Sequence, residues 1–145
     1  MSTDLLRNMF RAQAELNNLG FKKQGIPVTM ETLYVEGSSE EDKGPNSLTN
    51  EWLNRFTTAQ KDEVRELDEE LLWKWWSKDK LDMQNIRVEI VDQMHFLISL
   101  AITAGMDADS FSNLYEQKVA VNVQRQLSGY SKENKNEDDN KELKV

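Results

Sequence analysis

M-Q-N-I-R-V-E-I-V-D-Q-M-H-F-L-I-S-L-A-I-T-A, residues Met83 to Ala104, is the most apolar segment of the chain, and it carries two acids, Glu89 and Asp92, in its middle. The apolar spacing predicts a helix that ends at Gly105, because glycine readily takes the left-handed conformation that closes a helix. Carboxylates set among Ile86, Val88, Ile90, Val91, Met94, Phe96 and Leu97 are expensive to bury without a cation or hydrogen-bond donors. Three residues apart, Glu89 and Asp92 project from one helical face about a turn apart and can offer oxygens to the same ion.

Upstream, a helix is expected from about Thr49 to Lys78, with Trp52, Leu53, Phe56, Val64, Leu67, Leu71, Leu72, Trp75 and Trp76 as apolar positions. Thr57 and Gln60 form a candidate capping box at a break within it. This helix carries the matching pair, Glu63 and Glu66, and Glu69 or Glu70 and Trp73 continue their face. For a lone pair of this kind a solvated acidic face is the ordinary explanation. Two such pairs on facing helices instead supply four hard oxygen ligands, the set that Mg²⁺ takes when phosphates and water complete its octahedron. His95, a turn beyond Asp92, is read as a packed residue or a support for the ligands, not as a ligand.

A first helix is expected over about Thr3 to Leu19, ended by Gly20, with Gln13 and Asn17 beside its apolar stripe and their amides turned to water. From Phe21 to Leu48 the periodicity is lost, which predicts a loop or lid. A fourth helix is expected over about Asp107 to Leu127. On it Tyr115, Lys118, Asn122 and Arg125 share one side and form a cationic stripe. Arginine grips phosphate oxygens bidentately and lysine acts as a point charge, although a plain interhelical salt bridge would use the same residues. Trp73, Trp75 and Trp76 cannot all face a core from consecutive helical positions, so at least one should meet a loop, a ligand or a partner subunit. Four helices with neither strands nor repeats make an all-α, four-helix bundle. It is expected as one domain over residues 1–130, with 21–48 as the loop and 131–145 as a disordered acidic tail.

Composition narrows the function classes. With 26 acids against 18 bases and a net charge of -8, the chain is poorly suited to a nucleic-acid polymer. It has no cysteine and a single histidine, which removes disulfides, thiolate chemistry and a structural zinc site. Asp4, Arg7, Arg11 and Glu15 interrupt the N-terminal segment, and Phe96 to Ala104 is too short to span a bilayer, so a soluble cytoplasmic protein without membrane contact is expected.

Taken together, E-V-R-E-L at Glu63 to Leu67, W-K-W-W at Trp73 to Trp76, E-I-V-D-Q-M-H-F at Glu89 to Phe96 and Y-E-Q-K-V-A-V-N-V-Q-R-Q-L-S-G-Y at Tyr115 to Tyr130 resemble the all-α, magnesium-dependent dimeric dUTPases and the related phage dCTP pyrophosphatases. The two acidic pairs alone would fit the wider superfamily of MazG-like nucleotide pyrophosphohydrolases; the K-x-x-x-N-x-x-R-Q-x-x-G-Y ending is narrower. The resemblance implies an all-α NTP pyrophosphatase fold assembled as a homodimer. It implies Mg²⁺ held by Glu63, Glu66, Glu89 and Asp92, with Glu66 also orienting the attacking water. Lys118, Arg125, Tyr130 and Lys74 would serve the phosphates and Asn122 the sugar. Gln13 and Asn17 would lie near the base, with Trp73 or Trp76 packed beside it. The implied reaction converts a deoxynucleoside triphosphate, dUTP or also dCTP, to the monophosphate and pyrophosphate. A-Q-A-E-L and W-L-N-R-F look closer to the phage dCTP enzymes, which leaves the base open. A dCTP-preferring enzyme, a broader MazG-like pyrophosphohydrolase and a non-catalytic helical binding module that uses the tryptophans are the alternatives.

Overall fold

The computed structural model describes residues 3–34, 43–129, 131 and 140–145. Among these the chain forms four α-helices and no strand: α1 Thr3–Gln24, α2 Leu48–Glu70, α3 Met83–Thr103 and α4 Ala108–Leu127. The all-α class expected from the sequence is therefore the class observed. No single helix among the described residues is long and apolar enough to cross a membrane. Contacts divide the chain into two compact units, Phe10–Gly105 on the one hand and Met1–Met9 with Met106–Val145 on the other.

In the unit Phe10–Gly105, α1 does not stop at Gly20 as expected but runs on to Gln24, and Gly25 (φ 66°) ends it. An exposed glycine inside a helix costs only about 1 kcal/mol. The extra turn places Phe21 edge-on against Trp52, with ring centroids 4.7 Å apart, and that burial outweighs the glycine. The following segment is no structureless lid in its described part. Thr29 opens a 3-10 turn, Met30–Thr32, and Met30 and Leu33, each 1% exposed, are among the most deeply buried side chains of the core. Phe21, Trp52 and Phe56 complete that core, with Ile26, Val28, Phe96 and Leu100 packed on it. The remainder of the expected lid, residues 35–42, lies outside the described residues.

Ser47 caps α2, its hydroxyl accepting from Asn50 N at 3.1 Å. The helix then runs unbroken through Thr57, so the expected break is absent. It ends at Glu70 rather than near Lys78, because its last turn is acidic, against the helix dipole, and successive aromatics lose rotamer freedom in a helix. Trp73, Trp75 and Trp76 therefore lie off the helix, and Trp73 does not continue the face of Glu63 and Glu66. Asp82 caps α3 through Asn85 N at 3.0 Å. At its other end Gly105 (φ 83°) is required twice over: for its conformation, and because a Cβ there would meet the Tyr34 ring at 2.5 Å. α2 and α3 pack directly against each other.

In the other unit, α4 begins with a capping box in which Asp107 accepts from Ser110 N at 2.8 Å and Asp107 N donates to Ser110 Oγ at 3.0 Å. The Ser110 backbone N–H, and then its hydroxyl, hold the Asp107 carboxyl below its ordinary pKa. Arg7 grips Asp109 through Nη2 at 2.9 Å and Nε at 3.1 Å. Asn140–Val145 lies along α4, with Gln117 Nε2 donating to Lys144 O at 2.7 Å and Lys144 N donating to Gln117 Oε1 at 3.0 Å.

Candidate metal centre

The α2–α3 contact brings together one oxygen each from Glu63, Glu89 and Asp92, all within 4.8 Å of one another. Glu89 is buried although it sits on a helix whose Val88, Ile90 and Val91 are exposed. Asn85, one turn earlier on α3, donates to Glu89 Oε1 at 3.4 Å, and Glu89 Oε2 is buried without a hydrogen-bond partner. Burial, then the charges of Glu66 and Asp92, push the Glu89 carboxyl above its ordinary pKa. Glu63 is raised in the same way, by burial first and then by Glu66, Asp92 and Glu89. Arg65, two residues beyond Glu63, is turned to Asp62 at 2.7 Å and Glu69 at 2.5 Å and comes only to 3.8 Å from Glu66. Among the described residues no lysine or arginine forms an ion pair with Glu63, Glu89 or Asp92. Converging carboxylates without a counter-charge, one oxygen of which lacks any donor, fit a hard divalent cation. Glu66 adjoins this triad through its charge but is not one of the three converging residues.

A second constellation occupies the same unit. Gln13 and Asn17 do not face water, as their spacing alone had favoured; they point at α3. Gln13 Oε1 lies 2.6 Å from His95 Nδ1, and Gln13 Nε2 donates to Asn17 Oδ1 at 2.9 Å. Asn17 Nδ2 donates to Ser99 Oγ at 2.8 Å and to Met30 Sδ at 3.4 Å. Ser99 Oγ in turn donates to His95 O at 2.8 Å. His95 is exposed, and its ring meets Gln13 through Nδ1.

Trp73, Trp75 and Trp76 are exposed, at 75%, 88% and 61%. Trp76 stacks edge-on with both of the others, at 6.0 and 5.5 Å, and Lys74 Nζ stands 5.3 Å from the Trp73 ring. On α4, Lys118 Nζ donates to Asn140 Oδ1 at 2.5 Å, Tyr115 and Asn122 are exposed, and Arg125 is half-buried. Tyr130 lies outside the described residues. Asn85 and Ser99 escaped the sequence reading. The i, i+4 spacing of Asn85 and Glu89 was the available signal for the first, whereas nothing local marks Ser99.

The chain belongs to the dUTPase family, which it matches over residues 5–112. It is similar to the dCTP pyrophosphatase of Enterobacteria phage LZ5, 30% identical over 94 residues, which are 65% of this chain and 48% of that protein. The dCTP pyrophosphatase of Enterobacteria phage T4 is 28% identical over 92 residues, 63% of this chain and 47% of its own. The chain thus spans about half the length of the curated relatives it matches. No solved structure matches it. The family match ends before Tyr115, so Lys118, Asn122 and Arg125 stand on the sequence motif alone.

Proposed function

We propose that the chain is a Mg²⁺-dependent pyrophosphatase of pyrimidine deoxynucleoside triphosphates, converting dUTP, and also dCTP, to the monophosphate and pyrophosphate. The observation that carries this is the convergence of Glu63, Glu89 and Asp92, with Glu89 Oε2 buried and without a hydrogen-bond partner. These three residues would hold the cation, with Glu66 completing the set. When bound, Mg²⁺ supplies charge stabilisation at the phosphoryl oxygens and a template for in-line attack. Glu66 would orient the attacking water, and hydrolysis of the α–β linkage releases pyrophosphate and leaves the nucleoside monophosphate. No protein nucleophile is required.

The remaining assignments belong to the same proposal. Gln13 and Asn17 lie near the base with Trp73 or Trp76 beside it, Lys74, Lys118, Arg125 and Tyr130 serve the phosphates, and Asn122 serves the sugar; these roles rest on the motifs. A homodimer is part of the reading too, supported by the exposed Val88, Ile90, Val91, Met94 and Leu97 of α3 and by the three tryptophans, apolar surface of the kind that marks interfaces. A dCTP preference is the second reading, favoured because both phage relatives are named for dCTP.

Pyrophosphate release from dUTP, dCTP, dTTP and UTP, each with and without Mg²⁺, tests the proposal. Magnesium-dependent release from dUTP or dCTP is expected. No release from any of the four would overturn it and leave the carboxylates a structural feature.

A further inference from the structure

The four side chains around Asn17 form a hydrogen-bond circuit with one sense of direction. Ser99 is fully buried, and its hydroxyl hydrogen goes to His95 O, so its oxygen can only accept from Asn17. Asn17 Nδ2 therefore faces Ser99, and its second hydrogen points to Met30 Sδ, a weak acceptor that an amide oxygen would not approach favourably. With Nδ2 so placed, Oδ1 takes the hydrogen of Gln13 Nε2, and Gln13 Oε1 is left toward the imidazole. Nδ1 of His95 must then carry the hydrogen in that 2.6 Å contact. Turning Asn17 and Gln13 over together would reverse the circuit, but at the cost of an oxygen set against Met30 Sδ and of the Ser99 hydrogen taken from His95 O.

Both hydrogens of the Asn17 amide are engaged, and only a lone pair on Oδ1 remains. Gln13, buried at 5% exposure, keeps one N–H. Uracil presents a donor at N3 and an acceptor at O4, and cytosine presents the reverse. An amide free to turn can serve either base; one locked as an acceptor cannot.

We propose that Ser99 is a positioning residue that locks the direction of the Asn17 amide and thereby sets which pyrimidine is accepted. This rests on the reading that Gln13 and Asn17 meet the base. Ser99 touches no substrate; it acts through Asn17, and the lock extends to the His95 ring, one turn of α3 from the carboxylate cluster.

The test compares kcat and KM for dUTP and dCTP, with Mg²⁺, in the full chain and in Ser99→Ala, together with the ¹⁵N resonances of His95 at a pH where the ring is neutral. In the unaltered protein, one nucleotide is expected to be preferred and the His95 hydrogen to sit on Nδ1. Ser99→Ala is expected to move the kcat/KM ratio toward unity by about tenfold, the worth of one hydrogen bond. That change should appear in KM with kcat for the preferred nucleotide retained, and His95 should become a mixture of tautomers. Met30→Leu, which conserves volume and removes only the sulfur acceptor, should shift the ratio the same way by less. Equal use of both nucleotides by the unaltered protein, or an unchanged ratio and tautomer in Ser99→Ala, would overturn the inference and leave the pyrophosphatase reading intact. Absence of turnover on either nucleotide would overturn both.

Discussion

Two polar clusters lie a turn apart on α3, and they have been treated oppositely by the fold. Around Ser99 the partners are matched: each hydrogen of Asn17 meets an acceptor, and the circuit closes on a backbone carbonyl. Around Glu89 they are not, since three carboxylates converge, one oxygen has no donor, and Arg65 of α2 is turned to other acids. A matched cluster is a piece of scaffold that holds its groups at fixed angles. An unmatched one raises the energy of the empty protein and lowers it again when the missing charge arrives.

The contrast breaks most visibly on substitution. Asp92→Asn or Glu89→Gln is expected to lower Mg²⁺-dependent pyrophosphate release by at least about a hundredfold, since each removes a proposed ligand. Full turnover in either variant would show that the cluster is not the site. The same Glu89→Gln change should raise the melting temperature of the metal-free protein, because it removes a buried charge repelled by its neighbours. Thermal melts in a chelator check this, and a lower melting temperature would mean that the cluster is balanced by groups other than a metal.

In the matched cluster the sign reverses. Asn17→Ala leaves Ser99 and Gln13 with lost partners in a buried setting and is expected to cost about 1–3 kcal/mol, read by denaturant unfolding. A neutral result would mean that the circuit carries no stability.

Acid titration gives a smaller but directional effect. The folded-state pKa values of Glu63 and Glu89 are raised, so the folded protein holds protons that the unfolded chain has released. Their contribution destabilises the fold at neutral pH and fades as the pH falls through the raised values toward the ordinary glutamate range. Asp107, held low by its cap, works the other way: its contribution is present above the ordinary aspartate range and is lost as the pH falls through its lowered value. Melts from neutral to mildly acidic pH, before Asp107 titrates, should therefore show the metal-free protein gaining stability relative to Glu89→Gln. Parallel curves for the two proteins would contradict the raised value of Glu89.

How much of this was legible in the sequence follows from the range of each interaction. Gly105 acts within a turn, and the ends of α3 and α4 fall within a residue or so of where the sequence places them. Gly20 misled because its cost is local, whereas the burial of Phe21 against Trp52 that outweighs it is tertiary. The end of α2 was overrun because the tryptophans continued an apolar period that the acidic last turn did not support. Met30 and Leu33 were missed altogether, since a 3-10 turn of three residues has no period to read. Glu89 and Asp92 stand out in one dimension as acids in an apolar helix, and Glu63 gains meaning only beside them. The direction of the Asn17 amide depends on residues 13 and 82 positions away, and no local pattern holds it.

The central claim is that the α2–α3 carboxylates form a cation site. Its most direct test is a calorimetric titration of Mg²⁺ into the full chain and into Glu89→Gln, beside thermal melts of both. Binding to the full chain with a melting temperature that climbs with Mg²⁺, and neither effect in Glu89→Gln, is the predicted result. Equal binding by the two proteins, or none by the full chain, would contradict the account.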